Sequence, residues 1–328
     1  MSSLSPPASP VSYALPCTVV IKIGTSSIIH EATNDVRISL VRNVVSTVAA
    51  LRGAGYRVVL VSSGAVGFGL LRMHCRSRPR RLSGKQALAA IGQGEMISMW
   101  SNIFAETKTA VAQILLTHDD VSTPKRYDNA VRTFNELFSI GVVPIVNEND
   151  TLSTKWKQEI RIGDNDTLSA ITAVMVQASY LFLLTDVDSL YASNPKYDAH
   201  ASRIDLVTSV SSLRNRIDSS NLGAGSPNGT GGMETKLRAA ELASAAGIST
   251  VIASSSDPAV VSEILEYYND HRLETLASEA ANSTSSKDTS SEGEDDVRPP
   301  HTLFLPETNP RRFPSFESLG SITLPSPP

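Results

Sequence analysis

Cysteine is nearly missing from this chain: Cys17 and Cys75 are the only two in 328 residues. Two thiols cannot build a disulfide framework, so the sequence suits a reducing compartment. Apolar runs of membrane-spanning length are missing too, and no membrane association is expected. The stretch before Cys17 has neither a basic start nor an apolar centre, which excludes a secretory leader as its reading. Together these absences point to the cytoplasm. A net charge of −4 argues against a broad polyanion-binding surface, so no nucleic-acid partner is expected, while a local basic pocket stays compatible. The six histidines, His30, His74, His118, His200, His271 and His301, are scattered and suggest no metal site. The Walker pattern, the dinucleotide pattern G-x-G-x-x-G and the EF-hand spacing do not occur. Nothing resembles a nucleophile elbow, although this alone leaves a Ser–His triad open.

What is present is a hydrophobic content of 41% with 19% charged residues, ordinary for a globular chain. Residues 1–15 are Ser/Pro-rich and read as a flexible lead-in. From Thr18 to about Tyr268, short apolar runs alternate with amphipathic stretches. The expected strands are Thr18–Ile23, Arg57–Ser62, Val111–Leu116, Val142–Val146, Tyr180–Leu184 and Thr250–Ala253. The expected helices lie near Asp35–Arg52, Gly84–Phe104, Lys125–Ser139, Asn165–Ala178, Met233–Ala245 and Pro258–Tyr268. In the first of these Leu40, Val44, Val48 and Leu51 follow the helical period, and Gly53 and Gly55 end it. Such alternation predicts an α/β fold, a mainly parallel sheet covered by helices on both faces. Residues 273–328 are rich in Ser, acid and Pro, with too little to bury, and read as a disordered tail. The arginine-rich stretch from Leu71 to Gly84 reads as a loop that either contacts anions or is simply solvated.

Several clusters fall where strands end, which is where open α/β sheets bind ligands. Lys22 lies inside the apolar run Val19–Ile23, ahead of Gly24-Thr25-Ser26-Ser27. It is either a snorkelling strand-end lysine or one reaching a ligand. Ser62-Ser63-Gly64-Ala65 follows the second strand and, taken alone, is turn chemistry. Asn147-Glu148-Asn149-Asp150 and Gly163-Asp164-Asn165-Asp166 bracket a short polar connection. Asp164 suits a helix N-cap, yet two such runs need a cation, an ammonium group or solvent to satisfy them. Thr185-Asp186 ends the fifth strand, suited to a nucleotide's base or ribose or to a turn. Gly229-Thr230-Gly231-Gly232-Met233-Glu234-Thr235-Lys236 opens a helix with glycines and a lysine, a phosphate cradle outside both familiar patterns.

Two lysines on glycine turns, with Asn/Asp clusters, suit phosphoryl transfer between two anions, where positioning and charge neutralisation do most of the work. A carboxylate acceptor, with a pKa near ~4.3, is already ionised at neutral pH and needs no general base. The product would be an acyl phosphate.

In their order along the chain, K-I-G-T-S at Lys22, S-S-G-A at Ser62, N-E-N-D, G-D-N-D, Thr185-Asp186 and the Gly229–Lys236 run resemble the glutamate 5-kinases (γ-glutamyl kinases) of the amino-acid kinase family. Gln86-Ala87-Leu88-Ala89-Ala90-Ile91-Gly92-Gln93 looks similar too. The resemblance covers about residues 14–272. It implies a three-layer αβα sandwich over 16–272 and ATP-dependent phosphorylation of the glutamate side chain, the committed step toward proline. It also implies roles: Lys22 and Lys236 on the transferring phosphoryl group and ATP, and Asp166 holding both lysines. Ser63, Asp150 and Asn165 would bind glutamate, with Asn147 and Asp164 nearby. Thr185, Asp186, Thr230, Gly231, Gly232, Met233, Glu234, Thr235 and Lys236 would line the ATP site. Further implied are magnesium, feedback inhibition by proline and a homo-oligomer, dimer or tetramer. The PUA domain that many relatives carry is not expected within 273–328, and Thr302-Leu303-Phe304-Leu305 looks like the start of the linker to it. Rival readings are another kinase of the same fold acting on aspartate, acetylglutamate, carbamate or UMP, and an inactive amino-acid-sensing module. N-E-N-D with G-D-N-D disfavours the first rival. Retention of Lys22, Asp166 and Lys236 disfavours the second.

Overall fold

A computed structural model describes residues 17–30, 33, 35–75, 77–152, 164–193, 198, 200–214, 232–269 and 298–307. The chain opens with β1 (Thr18–Ile23), the short helix α1 (Thr25–Ile28), α2 (Ile38–Gly53), β2 (Arg57–Ser62), α3 (Ala65–Arg72) and α4 (Leu82–Glu106). It continues through β3 (Val111–Leu116), α5 (His118–Ser122), α6 (Pro124–Ser139), β4 (Val143–Glu148), α7 (Asn165–Met175) and β5 (Tyr180–Thr185). The strands β6 (Leu190–Tyr191), β7 (Arg203–Ile204) and β8 (Leu206–Val207) and the helix α8 (Val210–Arg214) follow. The last elements are α9 (Met233–Ala245), β9 (Ser249–Ser254), α10 (Val260–Asn269) and β10 (Thr302–Phe304). No helix among the described residues is long and apolar enough to cross a membrane.

Eight strands form one sheet in the order β3-β4-β2-β1-β5-β9-β10-β8. The first six run parallel, β10 is antiparallel to β9, and β8 follows β10. Every residue of β1, β4 and β5 is buried, as expected for strands covered on both faces. The strand's two-residue period sorts the core into two layers. Val19, Ile21 and Ile23 pack with Val44, Val48, Trp100, Phe104 and Ile264 of α2, α4 and α10. Val20 faces the other way, toward Phe134, Leu168, Ile171 and Leu237 of α6, α7 and α9. The three-layer αβα arrangement is therefore as expected, and Lys22 shares Val20's face.

Three differences from the sequence reading bear on the site. β4 runs on through Asn147 and Glu148, because they stay in register with Leu115 and Leu116 of β3. The ladder thus fixes Asn147's backbone. The region after Ser63 is a helix, α3, and not only a turn. Its glycines let it lie directly on α4: a Cβ at Gly69 or Gly92 would collide with the facing backbone. Packing overrides poor helix propensity there.

The third difference corrects the expected tail. Arg298–Glu307 belongs to the domain, and Thr302-Leu303-Phe304 is a strand of its sheet rather than a linker. Leu303 packs into one core layer and Phe304 into the other, both fully buried. The Thr302 hydroxyl accepts from Leu190 N–H (2.7 Å) and donates to the Ile204 carbonyl (2.6 Å). Two apolar residues cannot form a core of their own, but they can finish an existing one, and averaging over proline-rich neighbours hides them. Residues 1–16, 270–297 and 308–328 lie outside the described residues, as do the lead-in and tail readings that concern them.

Candidate active site

The carboxyl ends of β1, β2, β4 and β5 gather around the N-terminus of α7. At their centre is Asp166, in the first turn of α7 and fully buried. Lys22 Nζ lies 2.6 Å from Asp166 Oδ1, and Lys236 Nζ lies 3.2 Å from Oδ2. The two lysines come from different elements, β1 and the first turn of α9, and both are buried. Lys22 sits over the glycine turn, where a Cβ on Gly24 would stand 3.6 Å from its ammonium. The Thr235 hydroxyl accepts from Gly232 N–H (3.0 Å) and donates to Asp166 Oδ2 (2.7 Å), tying the start of α9 to α7.

Burial by itself would push the Asp166 carboxyl upward, but Lys22 and Lys236, with the Thr235 hydroxyl, hold it well below the usual carboxylate range. It stays ionised. Burial pulls the Lys236 ammonium downward, Lys22 adds repulsion, and Asp166 and Asp186 oppose both. Two ammonium groups therefore share one fully buried carboxylate. Such an arrangement attracts a further anion, and the N-terminus of α9 adds partial positive charge on the same side.

A second, uncharged network adjoins this triad. Asn165 Nδ2 donates to Ser63 Oγ (2.6 Å) and to Asn147 Oδ1 (2.9 Å), and Asn147 Nδ2 donates to Gln93 Oε1 (2.8 Å). Gly64, with φ of +128°, makes the turn that sets Ser63 at the mouth of α3. Trp100 Nε1 donates to Ser62 Oγ (2.9 Å), anchoring that strand end from α4. Asp164 caps α7, accepting from Thr167 N–H (2.7 Å), as an N-cap reading expects. Burial raises its carboxyl pKa, and the Thr167 bonds oppose that.

Ser63, Asn147, Asp150, Asp164 and Asn165 all line one cleft. Thr185 ends β5 and its hydroxyl donates to Oδ1 of Asp186, the next residue (3.1 Å); Asp186 is close enough to act on Lys236. Met233 and Glu234 lie in the first turn of α9. Thr230 and Gly231 lie outside the described residues. Sequence reasoning assigned no role to Thr25, Arg78, Lys85 and Gln86, which also line the cleft, or to Gln93. The Gln86–Gln93 run of the family resemblance was the available signal for the two glutamines.

Residues 18–254 match the amino acid kinase family. The chain belongs to that family. Among curated relatives, the chain is 48% identical over 248 residues to a probable glutamate 5-kinase of Schizosaccharomyces pombe, covering 76% of this chain and 60% of that protein. It is 46% identical over 248 residues to the glutamate 5-kinase of a Cyanothece species, covering 76% and 66%. The chain thus spans about two thirds or less of the length of the curated relatives it matches. Among solved structures, the fold is similar to a carbamate kinase from Giardia lamblia bound to AMP-PNP. That match has a TM-score of 0.56 at 17% identity, covering 89% of this chain and 99% of that one. An isopentenyl phosphate kinase substrate complex matches with a TM-score of 0.53, also at 17% identity, over 76% and 95%. Within this family fold, the triad lies where β1, α7 and α9 converge.

Proposed function

We propose that the chain transfers the γ-phosphoryl group of ATP to the side-chain carboxylate of L-glutamate, giving L-glutamyl 5-phosphate and ADP. In the proline pathway this is the first step. The observation that carries the reading is the buried Lys22–Asp166–Lys236 triad set beside the Ser63–Asn165–Asn147 network. Relatives named glutamate 5-kinase support the choice of acceptor. The bond between the γ-phosphorus and the β,γ-bridging oxygen breaks as a glutamate carboxylate oxygen bonds to phosphorus. ADP leaves with the bridging oxygen's electrons. The acceptor arrives ionised, so no protein group need remove a proton.

Lys22 and Lys236 neutralise charge on the transferring group, and Asp166 holds both ammonium groups in place without touching it. A preorganised pair of this kind costs no reorganisation during transfer. Ser63, Asn165 and Asp150 hold glutamate, with Asn147 and Asp164 supporting them. Thr185, Asp186 and Thr230–Lys236 hold the nucleotide. Magnesium enters with ATP as MgATP; the described residues form no cluster of three or more His, Cys, Asp or Glu suited to a resident ion. L-proline competes at the glutamate cleft as feedback inhibitor, and the protein works as a cytoplasmic homo-oligomer.

Purified full chain given ATP, magnesium, glutamate and hydroxylamine should form the γ-glutamyl hydroxamate. A folded, ATP-binding sample that yields no glutamate-dependent hydroxamate would rule the reading out. Proline should raise the KM for glutamate; unchanged kinetics would remove the feedback assignment alone.

A further inference from the structure

Phosphoryl transfer engages only one end of a glutamate molecule. The other end carries an α-carboxylate and an α-ammonium, and the triad and amide network leave both without an assigned counterpart. Such a zwitterionic head is recognised by one fixed cation and one fixed anion set close together, and the cleft holds such a couple.

The arginine-rich stretch is not uniform. Arg72, Arg80 and Arg81 are exposed, and Arg72 forms a surface ion pair with Glu95 (3.3 Å). Arg78 is half-buried and, among the described arginines of that stretch, it alone lines the cleft. Asp150 lines the same cleft and acts on Arg78 electrostatically. Burial lowers the pKa of the Arg78 guanidinium and the Asp150 charge opposes that in part, as expected for a cation drawn out of water toward a carboxylate. Lys85, exposed at the start of α4, adds a second positive charge on that wall.

We propose that Arg78 is a specificity-determining residue of the cleft, binding the α-carboxylate of the amino-acid acceptor while Asp150 binds its α-ammonium. The inference rests on the glutamate-kinase reading and extends it to the substrate's non-reacting end. A guanidinium suits the task because its fork of N–H donors matches a carboxylate in two bonds. The Arg78–Asp150 couple orients the head group, so the side-chain carboxylate is the one presented to Lys22 and Lys236. An acceptor without an α-carboxylate gains nothing from Arg78.

The test is equilibrium binding to the full chain by calorimetry, with glutamate and with 4-aminobutyrate, which keeps the amine and the reacting carboxylate but lacks the α-carboxylate. R78L should weaken glutamate binding on the order of 10- to 100-fold, with R78K losing less. Binding of 4-aminobutyrate should be the same in wild type and R78L, and both variants should keep the wild-type Tm. Glutamate affinity within twofold of wild type in R78L, or equal losses for both ligands, overturns the assignment. So does a wild type that binds no glutamate. A wild type that binds glutamate but forms no hydroxamate refutes the kinase reading, and the R78L comparison still decides the role of Arg78.

Discussion

Asp166 and His301 are both fully buried and both lie beside basic side chains, with opposite outcomes. At Asp166, burial opposes ionisation, but two lysines attract the carboxylate and win. At His301, burial and the charge of Arg298 act together against the imidazolium and press its pKa down to about 4, with the Pro299 carbonyl opposing only in part. The hydrogen bonds agree with a neutral ring. Nδ1 donates to the Pro299 carbonyl (2.6 Å), leaving Nε2 to accept from the Tyr268 hydroxyl (2.7 Å). Charge is kept where strand ends converge on the candidate phosphoryl site. It is removed where β10 has only to dock.

The sharpest way to break this comparison is Asp166→Asn, which keeps the shape and leaves two buried lysines without a carboxylate. Turnover should fall on the order of a thousandfold. Stability should fall by roughly 3 kcal/mol or more, as when one partner of a buried ion pair is removed. Hydroxamate kinetics and urea denaturation measure the two effects, and a loss of stability with turnover intact would show Asp166 to be only structural. Lys236→Ala comes next, lowering kcat on the order of a hundredfold with little change in glutamate KM. A shift confined to KM would place Lys236 in ground-state binding.

His301 supplies the contrasting test. Its folded pKa lies below its unfolded value, so the unfolded chain binds the extra proton first as pH falls. Stability should therefore be complete above about pH 6.5 and decline as pH falls from 6.5 toward 4. Near pH 5 the loss relative to pH 7 amounts to roughly 2 kcal/mol. His301→Gln should flatten that slope; denaturation curves identical in shape to wild type at pH 5 and 7 would contradict the assignment. The smallest effect is expected for Asn165→Ala, which removes neutral hydrogen bonds and should raise glutamate KM about tenfold, with kcat changed less. Should kcat fall as far as in Lys236→Ala, the division between charged and neutral halves would be lost.

The six parallel strands were legible because each is a mostly apolar run, wholly buried in β1, β4 and β5, and their ends fall within two residues of the expected ones. β8 and β10 were not. Two or three residues carry no periodicity, and β10 takes its stability from the sheet it joins. Lys22 stood out as a charge inside an apolar strand. Asp166 did not, since an acid in a first helical turn is ordinary helix chemistry, and only the family resemblance singled it out. Arg78 was hidden among Arg72, Arg76, Arg80 and Arg81, because composition cannot tell a cleft wall from a solvated surface.

By itself, then, the sequence determined the α/β class, the strand ends that carry polar groups and the chemical type of those groups. Local periodicity and the cost of burying polar atoms act through near neighbours, and both leave a mark in the residue order. Tertiary structure alone decided that Lys22 and Lys236, more than two hundred residues apart, share one carboxylate. It likewise decided that one arginine of the basic stretch turns into the cleft and that residues 298–307 return to close the sheet. Those outcomes depend on which surfaces meet when the layers pack, and that is a property of the whole fold.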